Sequence, residues 1–172
     1  MAEREARYKL GAAQSVTVET FGRPGRRTFR LVAEAGRSQS YIWLEKEQLS
    51  AIGEAIETTL EHAEVVLTPS GPGEPEPVFP LQANLDLDVR AGRLSLGLNE
   101  ETRVIVIVAA EGASEADGEA ISIEFDFDIA RRLRAQITEV VAAGRAPCPF
   151  CGAPLDPEGH VCPRSNGHMA EE

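Results

Sequence analysis

The feature that most constrains the fold is a break in mid-chain, flanked on both sides by stretches with the same pattern. Residues 68–80, TPSGPGEPEPVFP, hold five prolines and two glycines. Proline has no N–H and a fixed φ, so this segment can neither continue a helix nor sit inside a sheet. It reads as a linker or long loop. Before it, SVTVET (15–20) alternates apolar and polar residues, as a half-buried strand does. FGRPGRR is a turn, TFRLVAE (28–34) a second strand, AGRS a turn and QSYIWLE (39–45) a third strand. Leu49, Ile52, Ile56 and Leu60 then recur at spacings of three and four, which predicts one face of an amphipathic helix.

After the break the order repeats. GRLSLGL (92–98) alternates, NEET turns, and RVIVIVAAE (103–111) is apolar on both faces, as a central strand is. GASEADGE is a longer turn. AISIEFDF (120–127) alternates strictly, with Ile121, Ile123, Phe125 and Phe127 predicted to face inward. Ile129, Leu133, Ile137 and Val140 mark a second helix, with Asp126 or Asp128 as its N-cap. LQANLDLDV (81–89) reads as an additional edge strand. A shift of 81 residues lays Ile52 on Leu133, Ile56 on Ile137, Leu60 on Val141 and Glu45 on Asp126.

The expected fold is therefore α+β: two tandem β-β-β-α repeats forming one body, plus a small C-terminal zinc ribbon-like module. Residues 1–67 form the first repeat, 68–80 the linker, 81–145 the second repeat and 146–172 the tail. Two three-stranded sheets would each leave an apolar face open, and joining them around the helices buries both.

The tail, CPFCGAPLDPEGHVCPRSNGH (148–168), contains all three cysteines and two of the three histidines. Cys148 and Cys151 form a Cys-x-x-Cys knuckle, in which a tight turn brings two thiolates within reach of one ion. Gly152 stands where such a turn calls for a left-handed residue. His160 and Cys162 follow as His-x-Cys, and residues two apart on an extended segment point to one side. DPEG (156–159) reverses the chain between the pairs. Three thiolates and one imidazole make a structural Zn2+ set, with His160 or His168 as the fourth donor. No helix opens after the knuckle, against a redox Cys-x-x-Cys. A four-donor set without a nearby glutamate motif points to structural, not catalytic, zinc. His62 falls on the first predicted helix, away from the tail.

The tail pattern CP-x-CG-x-PLDP-x-GH-x-CPR-x-NG, matched from Cys148 to Gly167, together with LEKEQ (44–48) and GRPGRRTF (22–29), resembles an uncharacterised bacterial family, domain of unknown function 3090. That family is found mainly in Actinobacteria and Chloroflexi and is described as a repeat protein. The resemblance spans nearly the whole chain. The family pattern often has an aromatic residue after Asn-Gly, where this chain has His168, which favours His160 as the ligand. Its members are similar to proteins encoded beside a phosphoglycerate-mutase-like phosphatase and a distant lipid-kinase-like protein. This implies a shared pathway or complex and names no activity.

Other clusters carry weaker signals. Arg23, Arg26, Arg27 and Arg30 crowd one glycine-rich turn that can hold an anion or an acidic partner but lacks a phosphate-loop motif. Arg164 and Asn166 follow the last cysteine, where a rigid knuckle would present them for recognition. Asp86/Asp88 and Asp126/Asp128 alternate with apolar residues and read as exposed positions. The net charge of −11 falls entirely on residues 63–172, since residues 1–62 balance nine cations against nine anions. Such a body repels phosphate backbones, which disfavours nucleic acid while the arginine turn leaves it open. No apolar run of about 18 residues is present, against a membrane span. The charged start MAEREARYKL and the three clustered cysteines point to a cytoplasmic protein.

Together these features support an uncharacterised zinc-binding protein, more a non-enzymatic scaffold for an unknown protein partner than an enzyme. The rival is a nucleotide- or nucleic-acid-binding protein using the arginine turn and the zinc tail. A weaker third reading is an enzyme or enzyme subunit acting on a phosphorylated small molecule.

Overall fold

The computed structural model describes residues 8–66, 86–112, 120–144, 148–152, 155 and 160–164. The predicted linker, the DPEG turn, Asn166 and His168 lie outside these residues. The described body runs β1 (Tyr8–Ala12), β2 (Ser15–Phe21), β3 (Thr28–Ala35), β4 (Ser38–Leu44), α1 (Lys46–Val66), β5 (Asp86–Arg90), β6 (Arg93–Asn99), β7 (Val104–Ala110), β8 (Ala120–Phe125) and α2 (Phe127–Ala142).

Alternation in sequence becomes alternation in burial. Phe29, Leu31 and Ala33 of β3 and Ile42 and Leu44 of β4 point inward, as do Ile105, Ile107 and Ala109 of β7 and Ile121, Ile123 and Phe125 of β8. The inward side chains of both sheets and both helices join in one core. Each fully buried Ile or Leu contributes roughly 1.5–3 kcal/mol.

The fold is α+β, and each half holds four strands before its helix: β1 adds to the three expected in the first half, and β5 is the additional edge strand expected in the second. The additional strands are exchanged. One four-stranded sheet, sheet 1, has the order β2-β3-β4-β5, and sheet 2 has the order β1-β8-β7-β6. Thus β5 leaves its own half to pair parallel with β4, and β1 pairs parallel with β8. Two short crossings carry the exchange. Ala13 N–H donates to Glu124 O of sheet 2 (2.6 Å) and Gln14 N–H to Glu34 O of sheet 1 (2.7 Å). In the second half, Ala91 N–H donates to Trp43 O (3.0 Å) and Gly92 N–H to Ala110 O (2.9 Å). Each crossing therefore hydrogen-bonds both sheets within two residues.

The helices are also exchanged: α1 packs against β6 of sheet 2 and α2 against β2 of sheet 1. Each covers an edge strand that would otherwise offer unpaired backbone groups. On β2, Val18 N–H donates to Gln136 Oε1 of α2 (3.3 Å). The helices pack on each other with Gly53 facing Ile137, and Arg134 pairs with Glu57 (2.7 Å) while Arg131 approaches Glu64 (4.0 Å). These pairs run in opposite order along the two helices, so α1 and α2 are antiparallel.

Helix starts follow their sequence signals. Gln48 Oε1 accepts from Glu45 N–H (2.9 Å), the back-bonding half of a capping box, and Gln48 Nε2 donates to Ala91 O (2.9 Å), tying α1 to the second crossing. Asp126 is the N-cap of α2, accepting from Ile129 N–H (2.7 Å). This cap corrects one expectation. Phe127 does not extend the inward row of β8, because the chain turns helical once Asp126 caps it, and Phe127 opens α2 partly buried. Asp126→Ala is expected to cost about 1 kcal/mol of stability, read as a lower urea midpoint with unchanged slope.

Candidate metal centre

The knuckle forms as the turn chemistry requires. Gly152 adopts φ +73°, and its N–H donates to Cys148 O (2.8 Å). The turn also aims backbone N–H groups at the Cys148 sulfur. Burial pushes the Cys148 thiol up, but the N–H groups of Cys151 and Phe150 and the thiols of Cys151 and Cys162 outweigh it and hold the thiol below its ordinary value. This favours the thiolate, the form that binds metal.

Across the site, His160 and Cys162 deliver their donors to the same point, while Val161 between them is 81% exposed. That is the two-residue alternation of an extended strand. Cys148 Sγ lies 3.9 Å from Cys162 Sγ, and Cys151 Sγ lies 3.3 Å from His160 Nε2. All four donor atoms fall within 4.8 Å of one another. Sulfurs about 2.3 Å from a tetrahedral ion stand about 3.8 Å apart, so this spacing is that of a metal-ready set. Cys148 and Cys162 are 3% and 1% exposed. His160 Nδ1 is buried without a hydrogen-bond partner among the described residues, which leaves Nε2 as the donor aimed at the cluster. The cluster Cys148, Cys151, His160 and Cys162 can hold a metal ion. Among the described residues it is His160 that joins the three cysteines, His168 lies outside them, and His62 is exposed on α1, apart from the cluster.

The remaining candidates separate. Arg164 donates to Phe150 O (3.3 Å), bridging the two halves of the tail. Arg23 and Arg26 are exposed at the two ends of a turn closed by Arg26 N–H to Arg23 O (2.9 Å). Pro24 and Gly25 (φ +90°) occupy its centre, as a type II turn demands. Arg27 follows, its Nε buried and without a partner among the described residues. No ion pair reaches Arg23, Arg26 or Arg27 among the described residues. Arg30 differs. It pairs with Glu19, and its guanidinium carbon lies 4.9, 4.7 and 5.0 Å from the ring centres of Phe21, Tyr41 and Trp43.

The grouping of these rings was not foreseen from sequence. Arg30 lies opposite Glu19 on β2 and Trp43 on β4, so one outward row crosses three strands. The signal was the outward register of TFRLVAE and QSYIWLE, which becomes a cluster only once the strands are paired. Asp86 and Asp88 are exposed on β5, as expected, and Asp88 accepts from the Trp43 indole N–H (2.7 Å).

A family model described as Protein of unknown function (DUF3090) matches residues 8–162, from the first residue of β1 to the last cysteine of the cluster. No curated protein matches the chain. No helix among the described residues is long and apolar enough to cross a membrane.

Proposed function

Because the chain belongs to the DUF3090 family of proteins of unknown function, its role must be sought in its own chemistry, and we propose that it is a zinc protein whose metal is structural and whose role is to hold or dock a protein partner without catalysis. The observation that carries this reading is the convergence of three sulfurs and one imidazole nitrogen within 4.8 Å. Three thiolates and an imidazole suit zinc among the common ions, and four protein donors complete a tetrahedral shell, leaving no position for a substrate.

Docking is supported by what the knuckle exposes. Phe150 is 54% exposed between two ligands, and Val161 is 81% exposed between the other two. Each stands between cluster residues, so metal binding would hold two apolar side chains at the surface, as a protein contact uses them. Thiolate ligands of this kind persist in a reducing compartment, which supports a cytoplasmic location.

The test is elemental analysis with thiol titration on the same purified sample. One zinc per chain is expected, with thiols that react only after a chelator is added. Metal-free protein with freely reactive thiols would sink the proposal.

A further inference from the structure

We propose that the end of sheet 1 carrying the β2–β3 turn binds a nucleoside phosphate, with the base against Phe21 and the phosphate on Arg23, Arg26 and Arg27. This surface is built from other elements than the metal centre, and the inference does not depend on zinc.

The cationic half of the site follows from charge. The chain carries 28 acidic residues against 17 Lys and Arg, yet three arginines within five residues have no ion-pair partner among the described residues. An acidic protein that only needed solubility would gain nothing from concentrating unpaired guanidiniums at one point. Their frame is also stiff. The type II turn sets Arg23 and Arg26 at its ends, and Gly22 (φ +93°) sits so close to Arg26 that an added Cβ would lie 2.3 Å from Arg26 O. Arg27 Nε is a buried donor without an acceptor among the described residues, so the rest of its guanidinium is the part that an anion would meet. A tetrahedral phosphate presents acceptors in several directions and can engage more than one guanidinium fork, whereas a planar carboxylate matches one.

The aromatic half adjoins it. Phe21 is the last residue of β2 before the turn and is 41% exposed, with its ring centre 5.2 Å from that of Trp43. Arg30 packs against both rings and Tyr41 and is neutralised by Glu19, so the platform is held in place and the nearest carboxylate is already matched. Of the other acids on this face, Asp88 is engaged by the Trp43 indole and Glu34 by Ser15 and Gln39, while Asp86 lies further along β5. An exposed ring beside clustered arginines is what stacks a base and holds its phosphate, whichever base it is. The net charge of −11 repels a long polyanion, so the ligand is a free nucleotide or a short single strand, not a duplex.

Trp43 is the sole tryptophan of the chain and belongs to the platform, so its fluorescence reads the site directly. The metal-loaded full chain would be titrated with AMP, with ATP and with an oligothymidylate of about ten nucleotides. Saturable quenching is expected, reversed by inorganic phosphate and by salt. Phe21→Ala and the double variant Arg26→Glu, Arg27→Glu should each weaken it about tenfold without changing the thermal melt. Quenching by AMP or ATP identifies free nucleotide as the ligand, and quenching by the oligonucleotide alone identifies a single strand. Both outcomes support the site. No quenching at millimolar ligand would overturn the proposal, and so would equal quenching in folded variants.

Discussion

Removing the proposed zinc is expected to unfold the tail and leave both sheets standing. Among the described residues the apolar core includes none beyond α2, and the buried residues of the tail are two members of the cluster, Cys148 and Cys162. A segment this short has little apolar area to bury, so the ion would supply most of its folding energy, on the order of 10 kcal/mol for small zinc modules. A chelator should therefore abolish hydrogen-exchange protection at residues 148–152 and 160–164 and open them to protease, with the body's circular dichroism and melting temperature nearly unchanged. Cys162→Ser should reproduce this at ordinary zinc concentrations. Loss of an outer-shell partner alone costs 10–100-fold in metal affinity, so loss of a ligand should cost at least about 100-fold. If chelation instead collapses the whole protein in one transition, the tail is part of the body's cooperative unit and its separate folding is refuted.

The Cys/His cluster was legible in the sequence because its geometry is local. A Cys-x-x-Cys turn closed by Gly152 and an extended His160-x-Cys162 need only a few residues each to set their donors, so spacing alone carries the information. His160 is brought to the cluster by the same alternation that leaves Val161 exposed, whereas spacing left His160 and His168 both open. The helices and six strands were legible for a similar reason, since Ile52, Ile56, Leu133 and Ile137 mark their helical faces without reference to any partner. β1 was not. Its five residues, YKLGA, bury only Leu10, and its strand character comes from pairing with β8, more than a hundred residues away. β5 was visible as a strand, but nothing in DLDVR says that it joins Gln39–Trp43 in the other half. Strand exchange is a property of register and connection, and neither is written in periodicity. The Arg30 cluster was hidden for the same reason: Glu19, Arg30 and Trp43 belong to three strands and meet only across the sheet.

The exchange also concentrates risk at one point, which gives the second large effect. Gly92→Ala is expected to destabilise the body by about 3 kcal/mol, at the upper end of overpacking costs. Gly92 is held by its N–H bond to Ala110 O at the crossing between the sheets. A Cβ there would lie 2.6 Å from Gly112 O, 2.7 Å from Gly112 N and 2.8 Å from Gly112 C. All three are backbone atoms, so no side-chain rotation relieves the clash, and relief means moving either the crossing or the end of β7. Alanine gains about 0.4–1 kcal/mol by restricting the unfolded chain, too little to offset this. In a protein of this size the net loss lowers the melting temperature by roughly 6–12 °C. Gly97, five residues on in β6, supplies the control. No atom of the described residues lies within 4 Å of a Cβ built on it, and it is exposed, so Gly97→Ala should leave stability within about 0.5 kcal/mol of the parent or slightly above it. Calorimetry on the two variants separates the explanations. A large drop for Gly92→Ala with none for Gly97→Ala locates the sensitivity in the crossing, whereas equal melting temperatures would show that Gly112 yields freely and that the crossing does not lock the two sheets.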